Sequence, residues 1–176
     1  MNDGPPRALF MVAISVAVAA LVAVLAIAIM RSRQPHQQAL VIPAVPAPQA
    51  NSAECATLMA AVPQHLGDYQ RVTAAAPVPP ATAAWRTGDT EPLLLRCGVG
   101  EPADFVVGAA IQIVNGVQWF RVTEQSTGRS TWFVVDRPVY VALTLPEGTG
   151  ASPIQEISDV VAAKLAAVPI RPAPPR

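Results

Sequence analysis

The sequence predicts an α+β domain in which an antiparallel sheet carries helices on one face. Three observations predict this fold. Short alternating strands follow one another between residues 109 and 145, with a tight turn at Asn115-Gly116. One amphipathic helix pattern starts at Ser52, and another starts at Ser152. We therefore expect a meander of about four to five strands between an N-terminal and a C-terminal helix.

A long apolar run follows a short N-terminal tail, 1–7. Residues 8–30 contain a single polar side chain, that of Ser15. At about 1.5 Å per residue the run makes a helix of about 34 Å, longer than a hydrocarbon core of about 30 Å. It predicts an uncleaved transmembrane helix, with the lipid bilayer as its partner. The alternatives are a signal peptide cleaved at Ala26-Ile27-Ala28, which makes the protein secreted, and a buried soluble helix.

A proline-rich segment, 31–51, separates the apolar run from the domain. It has four prolines and no hydrophobic period, and no Lys, Arg, Asp or Glu follows Arg33 within it. This composition favours extended polyproline geometry and predicts a semi-rigid tether. The folded domain is expected over 52–169, and a second proline-rich stretch, 170–176, is expected to be a disordered tail.

The first helix of the domain is expected to begin at Ser52, whose side chain suits a helix cap, and Pro63 interrupts it. A brief extended piece follows near Tyr69, and Trp85 is expected to dock on the core. Leu93–Val99 then alternates as a strand, with one face formed by Leu93, Leu95 and Cys97 and the other by Leu94 and Arg96.

Two tryptophans mark neighbouring strands of the meander, in QWFRV and TWFVV. Arg121 can stack on Trp132 if the strand register allows it. If Trp119 and Trp132 both face outward, they form a patch for a protein or glycan partner. The alternative is that one member of each Trp-Phe pair fills the core.

Arg96 is the fourth candidate for partner binding. On its strand it points away from the face that carries Cys97. It is expected to be a surface arginine paired with Glu101 or Asp104, and contact with a ligand is the alternative.

The last helix has the clearest start signal. Ser152 is expected to cap it, Pro153 to take the first helical position, and Gln155 to complete a capping box. One apolar stripe follows at helical spacing, formed by Ile154, Ile157, Val160, Val161, Leu165 and Val168.

The two cysteines bear on the compartment. Cys55 and Cys97 have no C-x-x-C spacing, and an even count behind an apolar helix fits one disulfide in an oxidising compartment. Two unlinked buried thiols are the alternative.

The charges that flank the span bear on its orientation. Arg31 and Arg33 after the span outnumber Arg7 before it, which favours a cytoplasmic domain. The cysteine pair favours an extracytoplasmic domain instead. Long domains also cross the membrane largely regardless of the flanking charge.

Few residues are suited to catalysis or to metal binding. His36 and His65 are the only histidines, and no carboxylate pair, phosphate-binding loop or calcium loop is evident. We expect no catalytic residue, metal or cofactor. The domain has seven Lys plus Arg against eleven Asp plus Glu, and this net charge of −4 disfavours nucleic acid as a partner.

The stretches SAECATLMAAVPQHL and LLLRCGV and the Trp-Phe hairpin resemble an actinobacterial, mycobacterial-type family of small membrane-anchored proteins of unknown function. A single lysine against eleven arginines also suits such a lineage. The resemblance implies an envelope location and a Cys55–Cys97 pair, and it implies no activity. CGVGEP departs from the family, where a basic residue is expected before the proline.

These observations predict an accessory or interaction module of the cell envelope, held outside the plasma membrane. Its partner is expected to be an envelope protein or a cell-wall glycan. The alternative is a hydrolase or transferase that acts on the cell wall through an unrecognised site.

Overall fold

The computed structural model describes the backbone over 7–32 and 39–175 and the side chains over 11–27 and 39–175. The chain divides into two compact units, Met1–His36 and Gln37–Arg176. The first unit contains one helix, α1 (Arg7–Ser32). A search of the described residues finds no helix with the length and apolar character of a membrane span. The expected span, 8–30, extends beyond the described side chains at both ends.

The second unit is an antiparallel sheet of eight strands with two helices. The expected α+β class is confirmed, but the sheet has more strands than expected. The elements in chain order are α2 (Ala53–Ala61), β1 (His65–Leu66), β2 (Tyr69–Arg71), β3 (Thr82–Arg86), β4 (Leu93–Val99), β5 (Ile111–Val114), β6 (Val117–Thr123), β7 (Ser130–Val134), β8 (Tyr140–Leu145) and α3 (Ser152–Lys164).

The sheet consists of two four-stranded meanders placed side by side. The strand order is β1-β2-β3-β4-β8-β7-β6-β5, so the last strand of each meander pairs with the other at the centre. β4 and β8 are antiparallel, with Leu95 opposite Leu143 and Cys97 opposite Val141. The segment 100–110 therefore connects the central strand β4 to the edge strand β5.

The hairpin predicted at Asn115-Gly116 is confirmed. Val114 lies opposite Val117, and the two turn residues have φ angles of 46° and 76°. Both angles are positive, as a two-residue hairpin turn requires. The Asn115 side chain also donates a hydrogen bond of 2.8 Å to Asp159 of α3. The turn therefore links the sheet to the last helix.

The predicted start of α2 is confirmed, because the Ser52 side chain accepts a hydrogen bond from the Cys55 amide. The helix ends at Ala61, two residues before Pro63, which has no amide hydrogen to continue it. His65 lies in β1, four residues after the end of α2. Trp85 docks on the core as expected, and its Nε1 donates a hydrogen bond of 3.0 Å to the Pro63 carbonyl.

The capping box predicted at Ser152 is wrong. Ala151 occupies the N-cap position, already has helical φ and ψ angles, and makes no side-chain capping bond. An N-cap residue needs extended backbone, and here the helical backbone begins one residue too early for Ser152 to cap it. Pro153 does lie in the first turn, and the expected apolar stripe packs inward through Ile154, Ile157, Val161 and Leu165.

The two faces of the sheet are covered differently. The helix face packs against α2 and α3 and forms the main core, which includes Leu95, Trp119 and Leu143. The opposite face has a smaller cluster around Phe105, Phe120 and Val135. We call it the tether face, because residues 39–50 contact it. The predicted alternation of β4 is confirmed, with Leu93, Leu95 and Cys97 buried and Leu94 and Arg96 half-buried.

The described parts of the two proline-rich segments are bonded to the domain. Leu40 exchanges backbone hydrogen bonds with Thr73 and Ala75, and the Gln49 amide donates to the Gly98 carbonyl. Ala173 exchanges backbone hydrogen bonds with Phe105 and Val107. We expected a free spacer over 31–51 and a disordered tail over 170–176. The difference arises because backbone groups of the β2–β3 loop, of Gly98 in β4 and of residues 105–107 form hydrogen bonds with these extended segments.

Candidate functional site

A disulfide joins Cys55 in α2 to Cys97 in β4, as the sequence predicted. The two Cα atoms are 5.5 Å apart, and both side chains are fully buried in the main core. The alternative of two free thiols is excluded in this structure, which has no free cysteine. The bridge fixes the first helix of the domain to the central strand of the sheet.

A cleft of about 390 Å³ lies on the helix face, between the sheet and the start of α3. We call it the helix-face cleft. Its lining includes Gln112, Arg121, Trp132, Glu147, Thr149 and Gln155. Arg121 lies directly opposite Trp132 across β6 and β7, and its Cζ is 5.3 Å from the centroid of the indole ring. The predicted stacking of Arg121 on Trp132 is therefore confirmed.

Trp119 does not take part in this cleft. Its side chain is fully buried, and its Nε1 donates a hydrogen bond of 2.9 Å to Ser158 of α3. The Ser158 hydroxyl in turn donates to the Ile154 carbonyl. The two tryptophans therefore form no outward patch, and the alternative holds here, because Trp119 fills the core under α3. Only Trp132, which is half-buried, remains accessible to a partner.

Arg96 lies at the centre of the tether face and does not pair as expected. The structure has no ion pair between Arg96 and either Glu101 or Asp104, and one terminal nitrogen donates a 3.3 Å hydrogen bond to the Pro43 carbonyl. Arg96 is therefore a half-buried side chain beneath the tether rather than an ordinary surface arginine.

Two cavities meet at Arg96. The first, of about 500 Å³, extends toward Leu40, Leu94 and Arg129. The second, of about 340 Å³, extends toward Val99, Phe133 and Ala142. Arg96, Thr131, Thr144 and Val45 line both of them. We call this pair of spaces the tether-face cavities.

Arg129 forms an ion-pair cluster at the rim of the first cavity. Its guanidinium contacts Glu91 at 2.7 Å and Glu124 at 2.8 Å. Hydrogen bonds from Thr127 and Arg129 hold the pKa of Glu124 below its usual value, and the bonds to Glu124 and Glu91 raise the pKa of Arg129. These three charges therefore satisfy one another.

A buried ion pair that the sequence did not predict lies at the β7–β8 turn. Arg137 and Asp136 are in contact at 2.8 Å, and their side chains are 3% and 4% exposed. Burial of a charge requires such a partner, since an unpaired charge in the core is costly. The only feature of the sequence that could have indicated this pair is the adjacent opposite charges of Asp136 and Arg137. The Val168 amide donates a hydrogen bond to the Asp136 backbone carbonyl, which attaches the segment after α3 to this turn.

No metal-binding cluster of His, Cys, Asp or Glu occurs among the described residues. His65 is exposed in β1, and His36 lies outside the described part of the chain.

The second unit is thus a disulfide-linked α+β domain with ligand-sized clefts on both faces of one sheet. The chain belongs to the family DUF3515, described as a protein of unknown function, which it matches over residues 14–170. The expected resemblance to a family of unknown function is confirmed at this level. No curated protein and no solved structure matches the chain.

Proposed function

We propose that this protein is a membrane-anchored interaction module of the cell envelope. Its domain lies outside the plasma membrane and binds an envelope protein or a cell-wall glycan at the helix-face cleft. The Arg121–Trp132 stack at this cleft is the observation that most supports the proposal.

The extracytoplasmic location is supported by the buried disulfide, since such bonds persist in oxidising compartments. The anchor is supported by α1. All its described side chains, 11–27, are exposed in their own unit, and all except Ser15 are apolar. The Ser15 hydroxyl donates a 2.8 Å hydrogen bond to the Met11 carbonyl, which satisfies this polar group within the helix as a lipid environment requires. Secretion after cleavage is the alternative to anchoring.

The chemistry of the helix-face cleft supports binding. Tryptophan and arginine are the side chains most enriched where partners bind tightly. Arg121 covers the indole of Trp132 by a cation–π contact, which orders both side chains before a partner arrives. Gln112 and Gln155 supply amide donors and acceptors to the same space, and Glu147 supplies a carboxylate. A partially exposed ring surrounded by such groups suits a polar partner with an apolar surface.

A crosslinking experiment on neighbouring residues tests this proposal. Gln112 and Ile113 follow one another in β5 and point to opposite faces of the sheet, Gln112 toward the cleft. Both are exposed. We expect a photoreactive amino acid at 112 to capture a partner in living cells and the same residue at 113 to capture it far less.

The substitution Trp132→Ala is expected to weaken capture at position 112 by about tenfold or more, because aromatic anchors of this kind contribute about 2 kcal/mol or more to binding. Captured protein is identified by its peptides, and captured glycan by its sugar composition. Equal capture at 112 and 113, or no effect of Trp132→Ala, contradicts binding at the helix-face cleft.

A further inference from the structure

The Arg96 side chain lacks the counter-ion that its position calls for. Across the described residues, no carboxylate lies within 4.0 Å of its guanidinium. The one hydrogen bond that its side chain makes to a described residue, to the Pro43 carbonyl, is long at 3.3 Å. Its Nε is buried and has no hydrogen-bond partner in the part of the chain that the structure describes. A half-buried guanidinium with an unsatisfied donor is thus present at the centre of the sheet.

This arrangement costs stability without a visible gain in the protein alone. Burial lowers the pKa of Arg96 below its usual value, and the charge of Arg129 lowers it further. The carboxylates of Glu91 and Glu124 do not offset this, because both contact Arg129 instead. An unpaired buried donor lowers the stability of the folded protein, and a charged one lowers it more. Such a cost is removed when an anion binds.

The space around Arg96 is suited to a small amphipathic anion. Beside Arg96, both tether-face cavities are lined by the hydroxyl groups of Thr131 and Thr144, whose oxygen atoms are 3.2 Å apart. The second cavity continues between Val99, Phe133 and Ala142. Its volume of about 340 Å³ is within the range of small-molecule sites. A ligand whose charged group binds at Arg96 can therefore place its apolar body in the second cavity, along the sheet.

The charge at the rim limits the anion to a single negative charge. Glu91, Glu124 and Arg129 line the first cavity, two negative charges against one positive, and Glu101 adds a negative charge at the second. These carboxylates disfavour a phosphate dianion, while one carboxylate matches the single unpaired guanidinium in charge and geometry.

We propose that Arg96, Thr131 and Thr144 form a binding site for a monocarboxylate with a short apolar body, roofed by the tether residues Pro43 and Val45. The ligand carboxylate accepts hydrogen bonds from the Arg96 guanidinium, including the buried Nε, and from a threonine hydroxyl. The apolar body occupies the second cavity. This site lies on the sheet face opposite the helix-face cleft, so it does not depend on the function proposed for that cleft.

The test is a ligand-observed NMR titration of the full-length chain in lipid nanodiscs. Hexanoate represents an acyl carboxylate, N-acetyl-alanyl-alanine represents a peptide C-terminus, and hexanamide is the uncharged control for hexanoate. We expect at least one carboxylate to bind with a dissociation constant of about 1 mM or tighter, and hexanamide to bind at least about tenfold more weakly than hexanoate. The tighter of the two carboxylates identifies the source of the ligand.

The substitution Arg96→Gln is expected to weaken carboxylate binding by about tenfold or more. The control Lys164→Gln removes one positive charge from the exposed end of α3 and is expected to leave carboxylate binding unchanged. Thr131→Val keeps the guanidinium and is expected to weaken binding severalfold, so it tests the site if Arg96→Gln does not fold. Each variant is checked by its circular dichroism spectrum.

Four results overturn the proposal. They are failure of both carboxylates to bind, hexanamide binding as tightly as hexanoate, unchanged binding in folded Arg96→Gln or in Thr131→Val, and inorganic phosphate binding more tightly than either carboxylate. Crosslinking at the helix-face cleft is unaffected by any of them, so failure here is distinguishable from failure of the proposed function.

Discussion

Replacement of Cys97 by serine is expected to lower the free energy of unfolding by about 2–5 kcal/mol. The bridge from Cys55 to Cys97 spans a sequence separation of 42, and closing a loop of this size contributes about 4 kcal/mol in the chain-entropy model. Both sulfur atoms are in the main core, where a serine hydroxyl has a further desolvation cost. Denaturant unfolding of the wild-type and variant proteins measures the difference.

Three controls separate the bridge from other effects. Cys55→Ser is expected to cost a similar amount, and the double variant about as much as either single one, since one bond is lost in each case. Arg96→Ala is expected to cost far less than Cys97→Ser, because only one long hydrogen bond to Pro43 is removed. Equal losses from Arg96→Ala and Cys97→Ser would contradict the account. So would two alkylated thiols in non-reduced protein from cells.

The substitution Gly98→Ala is expected to lower stability by about 2 kcal/mol or more. Gly98 has a φ of +78° at a register shift between Cys97 and Val99 in β4. An added Cβ would overlap the Gln49 carbonyl carbon and the Ala50 nitrogen. The methyl group therefore displaces the tether backbone and breaks the 3.0 Å hydrogen bond from Gln49 to Gly98.

Gly148→Ala is the matched control for this effect. Gly148 has a similar φ of +74°, and an added Cβ meets nothing within 4 Å. Both substitutions therefore introduce backbone strain from a positive φ. Only Gly98→Ala adds a clash with the tether backbone. We expect Gly98→Ala to cost more and to increase proteolysis of residues 39–50 in the folded protein. Equal costs for the two substitutions, with no change in proteolysis, would show that the tether does not depend on this contact.

The local part of the fold could be predicted from the sequence. The alternation in Leu93–Val99, the Asn115-Gly116 turn and the stacking of Arg121 on Trp132 depend on residues close in sequence or on adjacent hairpin strands. The disulfide could also be predicted, because only two cysteines exist and both lie on apolar faces.

The remaining features depend on contacts between distant segments. β1 and β2 have only two and three residues, too few to show a period, so the first meander was missed. No sequence pattern indicates that β4 pairs with β8, because the two strands are far apart in the chain. Their pairing depends on how the two meanders pack in the folded domain. The proline-rich segment 31–51 has no hydrophobic periodicity, so its sequence does not indicate which residues contact the sheet. The position of Arg96 beneath the tether therefore could not be found from the sequence.

The domain is proposed to function outside the plasma membrane. A fusion of alkaline phosphatase to the C-terminus of the full chain tests it most directly, because this enzyme needs its own disulfides and is active only after export. A fluorescent protein that matures only in the cytoplasm serves as the reciprocal fusion. We expect phosphatase activity in the membrane fraction and no fluorescence. Fluorescence without phosphatase activity would contradict the account.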